Sequence, residues 1–145
     1  MSYGQRTHFC GDIRLSHVGQ TVTLNGWAHR IRDLGGVLFV DLRDRAGLVQ
    51  LTLDPSKPLP EIRSETCLSV TGEVKERADA AKNPKLATGD IEISVSEVRV
   101  VSQAKVLPFP ISDEDAMASV DESLRVKYRY LDLRRPSMYR KLAIR

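Results

Sequence analysis

Residues 21–53, TVTLNGWAHRIRDLGGVLFVDLRDRAGLVQLTL, decide the fold. The stretch opens with β-branched and apolar residues in alternation, the period of a half-buried strand. Asp33-Leu34-Gly35-Gly36 then supplies turn chemistry, because glycine tolerates positive φ. VLFVDLRD at 37–44 reads as a second strand, and Arg45-Ala46-Gly47 as a short turn into a third, LVQLTL at 48–53. Together they form a three-strand meander with tight connections.

Downstream, Asp54-Pro55 to Pro60 stops the sheet, and Pro60 to Thr66 reads as a short inserted helix with Pro60 near its start. A fourth strand follows over 67–75, an exposed loop over 76–89, and a fifth strand over 90–101. A mainly β chain of three strands, a helical insert and two more strands has the order of a five-stranded OB-fold barrel. Residues 105–118, with Pro108 and Pro110, read as a linker. A helix is expected from about Ser119 to Leu131, its first turn carrying acids that suit the positive end of the helix dipole. Pro136 is placed to open another helix. The expected organisation is a barrel domain over 1–104, followed by a linker and helical hinge over 105–145.

Composition narrows the function. Of 145 residues, 41% are hydrophobic and 28% charged, the balance of a packed globular domain. No apolar run approaches the roughly 20 residues of a membrane span. The stretch Met1 to Cys10 is polar and lacks the core of a secretory signal, so the expected location is cytoplasmic. Cys10 and Cys67 form no CxxC pair and read as reduced thiols. His8, His17 and His29 have no metal-ligand spacing, so no metal is expected. Asp41 and Asp44 fall on opposite strand faces and do not converge as two-metal nuclease chemistry requires. The net charge of +3 is compatible with nucleic acid, with arginines clustered at 30–32, 43–45 and 125–135.

Strand phase sorts side chains into core and outer face. Leu38, Val40 and Leu42 read as core, as do Val49, Leu51 and Leu53, and Ile91, Ile93 and Val95. Phe39, Gln50 and Glu92 then point outward together. The apolar phase slips near Glu97, where a bulge is expected. Trp27 reads as core. Arg30 and Arg32 would share the inward face of Val22 and Leu24 unless the first strand bulges or leaves the barrel, which is expected. An aromatic ring, an amide, a carboxylate and guanidinium groups are what an unpaired base needs: stacking, edge recognition and phosphate or base acceptance. Phase alone leaves alternatives open. Phe39 is either a base platform or a ring covered by later chain, Gln50 and Glu92 either base readers or solvated strand residues, and Arg32 either a reader or a surface partner of Asp33 or Asp44.

Gly26-Trp27, Arg32-Asp33-Leu34-Gly35-Gly36 and the run Phe39 to Gln50 resemble the anticodon-binding domain of bacterial aspartyl-tRNA synthetases. Residues 87–93 are similar to a later strand of that domain, and 127–136, KYRYLDLRRP, to the signature just before its catalytic domain. The resemblance covers nearly the whole chain. It implies that Phe39 stacks on the central uridine of the anticodon, that Gln50 hydrogen-bonds its edge, and that Arg32 contacts this base or the next. It implies that Glu92 reads the first anticodon base and that Arg30 meets the RNA backbone. Ile31 stands where the family usually has a third basic residue, which lowers phosphate affinity slightly. Leu34 leans toward family members that charge only aspartate tRNA rather than asparagine tRNA as well. The resemblance further implies a parent enzyme that joins aspartate to tRNA with ATP and Mg2+ and forms a homodimer. This chain carries none of its catalytic motifs, so it is expected to bind tRNA as a monomer without cofactor. The alternatives are a single-strand binder indifferent to sequence, or the same domain of an asparaginyl-tRNA synthetase.

Overall fold

The computed structural model describes residues 4–145. The first three residues of the polar N-terminal stretch lie outside that range. The chain divides into a first unit running to Lys105 and a second, Val106–Arg145.

The first unit is a closed barrel of five strands: β1 (Thr21–Leu34), β2 (Val37–Asp44), β3 (Gly47–Leu53), β4 (Cys67–Glu76) and β5 (Ile91–Ser102). Their order around the barrel is β1-β2-β3-β5-β4. All pairings are antiparallel except β3 with β5, which is short and parallel, Leu51 facing Ile93. This is the OB-fold. The β1–β2 hairpin closes through Gly35 and Gly36, with φ of 63° and 88°. Two consecutive positive φ values define the tight turn whose twist matches the flanking strands, and glycine adopts them without steric cost. Gly26 has a different duty: a Cβ there would lie 2.5 Å from the Arg43 carbonyl oxygen.

The interior is aliphatic. Val22, Leu24, Val40, Leu42, Val49, Leu51, Leu68, Val70, Ile91 and Ile93 are all sealed from solvent, and Leu38 packs partly buried against them. Burying each such side chain contributes roughly 1.5–3 kcal/mol. Both expected irregularities are present. The β1–β2 register shifts between Ala28 and Arg30, and β5 carries one extra residue where Thr71 pairs with Glu97 and Gly72 with Val95.

Three expectations are corrected. Residues 60–66 are not helical. Their backbone groups are used elsewhere: Glu65 N–H donates to the Ala28 carbonyl, and the Thr66 carbonyl accepts from Ala28 N–H. With those groups committed to β1, no i→i−4 ladder can form. Trp27 is not core; it is half-buried on the outer face, its ring 6.0 Å from the Arg43 guanidinium. The continuous helix to Leu131 is instead α1 (Glu122–Lys127) and α2 (Arg129–Asp132), interrupted at Tyr128 with φ −107° and ψ 47°. Asp121 caps α1 by accepting from Ser123 N–H. Pro136 does open α3 (Pro136–Ile144). The second unit has its own small apolar cluster, Phe109, Ile111, Met117 and Leu131, against which Tyr128 packs. No described helix is long and apolar enough to cross a membrane, which says nothing of membrane β-barrels.

Candidate nucleic-acid interface

The bulge in β1 solves the phase problem of its arginines. Before it, Val22, Leu24 and Ala28 point inward; after it Ile31 packs toward the core, leaving Arg30 and Arg32 on the outer face. Arg32 then sits opposite Phe39, Phe39 opposite Thr52, and Asp41 opposite Gln50, across three adjacent strands.

On this face lies a cavity of about 430 Å³ open to solvent, with Asp41 in its wall. Arg32, Phe39 and Gln50 line it, Phe39 with its ring half-buried. Arg30 and Leu34 stand at its exposed edge, Leu34 61% accessible. Glu92 is not part of the wall but joins through Gln50. Gln50 departs from the solvated reading: it is only 9% accessible. Its amide is held at both ends. Arg32 Nη2 donates to Gln50 Oε1 at 3.2 Å and to Asp41 Oδ1 at 3.0 Å, and Gln50 Nε2 donates to Glu92 Oε2 at 3.1 Å. A guanidinium can only donate and an ionised carboxylate only accept, so the amide has one possible orientation. It presents its remaining N–H, with its oxygen already engaged. Asp41, not Asp33 or Asp44, is the surface partner of Arg32.

Sequence reading missed part of this wall. Arg77, just past β4 and 6% accessible, donates from Nε to the Ile91 carbonyl at 2.8 Å. Burial lowers its pKa, and the carboxylates of Glu92 and Asp41 work against that shift. Its Nη2 is buried with no hydrogen-bond partner, and so is Arg32 Nε. An unpaired buried donor costs about 1–3 kcal/mol, and more when charged, so both of these donors are free to take an acceptor entering the cavity. Asn83, Lys85 and Leu86 complete the far wall. Their loop is pinned, since Asn83 N–H donates to the Gly89 carbonyl and Gly89 N–H to the Leu86 carbonyl, with no room for a Cβ at Gly89. His29 also lines the cavity, and burial, then the neighbouring Arg43, lowers its pKa. Among the described residues, no group of three or more His, Cys, Asp or Glu side chains is placed to hold a metal ion.

A half-buried ring, an oriented amide, a carboxylate behind it and spare guanidinium donors make a surface that can stack a base and read its edge. Comparison with known proteins gives the family. The chain is 47% identical over 143 residues to the aspartate–tRNA(Asp/Asn) ligase of Corynebacterium kroppenstedtii, covering 97% of this chain and 24% of that protein. It is 50% identical over 146 residues to the aspartate–tRNA ligase of Bacillus licheniformis, with the same coverage. Thus it spans about a quarter of the length of the curated relatives it matches. The solved aspartyl-tRNA synthetase of Entamoeba histolytica superposes with a TM-score of 0.72 at 25% identity, over 86% of this chain and 31% of that one. Residues 22–101 match the tRNA anticodon type of OB-fold nucleic-acid-binding domain. The chain belongs to that family of tRNA anticodon-binding OB-folds.

Proposed function

We propose that this chain binds the anticodon stem-loop of aspartate tRNA as the recognition domain of an aspartyl-tRNA synthetase. The observation that carries the reading is the chain of hydrogen bonds Arg32–Gln50–Glu92 beside Phe39, with guanidinium donors left over. Phe39 stacks the central uridine. The free N–H of Gln50 suits a uracil carbonyl and is mismatched to the exocyclic amine of cytosine. Glu92 accepts from the N–H groups of a guanine at the first position, and Arg32 serves the uridine or the next base. Arg30 meets the phosphate backbone.

The parent enzyme joins aspartate to this tRNA with ATP and Mg2+, in the cytoplasm and as a homodimer. This chain alone binds RNA as a monomer and activates no amino acid. Leu34 favours exclusive use of aspartate tRNA, although relatives carry both the Asp and the Asp/Asn names. The sequence-indifferent reading is weaker because an amide oriented at both ends is a device for discrimination.

The test is a titration with three stem-loops at fixed moderate salt: that of aspartate tRNA, that of asparagine tRNA, and one with a randomised anticodon. The first is expected to bind tightest and the third weakest. Equal affinity for all three, falling together with added salt, identifies an electrostatic single-strand binder instead.

A further inference from the structure

His29 is the residue at which β1 bulges: Ala28 pairs with Leu42 and Arg30 with Asp41, which leaves His29 without a partner in the register. Bulges beside functional sites re-aim a side chain, and this one sends His29 into the cavity wall next to Arg30. Behind the imidazole lies a second pair of charges, a half-buried arginine and a buried glutamate. Arg43 Nη1 lies 2.7 Å from His29 Nδ1, and both terminal nitrogens of Arg43 reach Glu65, at 2.8 Å each. The Glu65 side chain is almost wholly buried, on a residue with φ of 68°, a left-handed conformation that a side chain rarely adopts. A strained residue held in place by its surroundings is a recurrent sign of a functional constraint.

The chemistry of this set leaves one protonation state. Arginine cannot accept a hydrogen bond, so Nδ1 of His29 is the acceptor and carries no proton. The ring proton therefore sits on Nε2, which has no protein partner among the described residues.

We infer that His29 is a further RNA-binding residue of this face, its Nε2–H donating to an oxygen of a nucleotide flanking the stacked base. Arg43 and Glu65 are positioning residues that fix the tautomer. The inference rests on the RNA-reading assignment above. The acceptor is a neutral or anionic oxygen, supplied either by a base carbonyl or by the ribose–phosphate backbone.

Two measurements test it on the whole chain. Two-bond 1H–15N correlation of His29 is expected to show a protonated Nε2 and a bare Nδ1; a proton on Nδ1 in the free chain overturns the inference. Titration with the aspartate-tRNA stem-loop is then made with His29→Phe, which keeps a ring and removes the Nε2 donor together with the Nδ1 acceptor, while Arg43 keeps its two contacts to Glu65. Loss of one neutral hydrogen bond is expected to weaken binding roughly three- to tenfold at about pH 7.5, where the melting curve stays close to that of the unaltered chain. The paired change Arg43→Met with Glu65→Gln leaves no buried charge unpaired. It is expected to mix the two tautomers and weaken binding, and adding His29→Phe to it should cost little more. An abasic nucleotide next to the central uridine distinguishes the acceptors: if the His29 effect vanishes there, it was a base carbonyl, and if it persists, the backbone. Should His29→Phe bind like the unaltered chain while Phe39→Ala weakens binding, the His29 inference fails and the anticodon reading stands. Should Phe39→Ala also bind unchanged, both fail together.

Discussion

In the barrel, the buried guanidinium of Arg77 uses Nε on a backbone carbonyl and leaves Nη2 unpaired beside an open cavity. In the second unit, Arg135 is equally buried but donates from Nε to the wholly buried Asp132 at 2.7 Å and from Nη1 to Glu114. Arg125 and Arg129 add further charge around the same carboxylate, where Arg125 Nε and Asp132 Oδ2 are themselves without a hydrogen-bond partner but face each other's charge rather than an open cavity. Both regions set buried arginines near acids. One closes its guanidinium on protein partners, as a structural tie does, and the other keeps a donor in reserve, as a binding site does. The same side chain is thus closed on acids in one unit and, under the proposed function, open to RNA in the other, and the positions of the carboxylates decide which.

The largest effect that would break this contrast is Asp132→Ala. Removing one partner of a buried ion pair costs about 3–5 kcal/mol. Hydrogen exchange is expected to lose protection over α2 and α3, with the barrel amides unaffected. Next comes Arg77→Met, which removes a charged donor from the cavity. Stem-loop affinity is expected to fall by roughly 1.5–3 kcal/mol, with the midpoint of urea unfolding almost unmoved. If stability collapses while affinity holds, Arg77 is a structural tie like Arg135. A smaller effect is expected from Asp121→Ala, which removes the cap of α1 and lowers helix stability by about 1 kcal/mol by circular dichroism, without touching RNA binding.

The smallest effect is a pH dependence. The His29 pKa is lowered in the fold, by burial first and Arg43 second, so the folded state resists a proton that the unfolded chain accepts near pH 6.5. Stability is therefore full above that value and declines as the pH falls through it toward the lower folded pKa. Unfolding midpoints between pH 7.5 and pH 5 are expected to fall less steeply for His29→Phe than for the unaltered chain.

Much of the barrel is legible in sequence because strand alternation and glycine turns are local signals. Even the bulges in β1 and β5 show themselves, since an apolar phase that slips must be reset by an odd residue. What is not legible depends on partners distant in sequence. Residues 60–66 have a helical look until their backbone groups are claimed by Ala28. Tyr128 interrupts a helix to pack in the cluster of Phe109. Phase places Phe39, Gln50 and Glu92 on one face, but not that the amide is clamped between Arg32 and Glu92. Arg77, His29 and the loop around Asn83 carry no motif; closure of the barrel brings them to the cavity.

Whether Phe39 stacks the central uridine is decided by titrating this chain with the aspartate anticodon stem-loop, with a stem-loop whose central uridine is replaced, and with the Phe39→Ala variant. Replacing the uridine and truncating Phe39 are each expected to weaken binding by roughly 1–3 kcal/mol, the value of one stacked base. Identical affinities in all pairings, varying only with salt, would contradict that stacking.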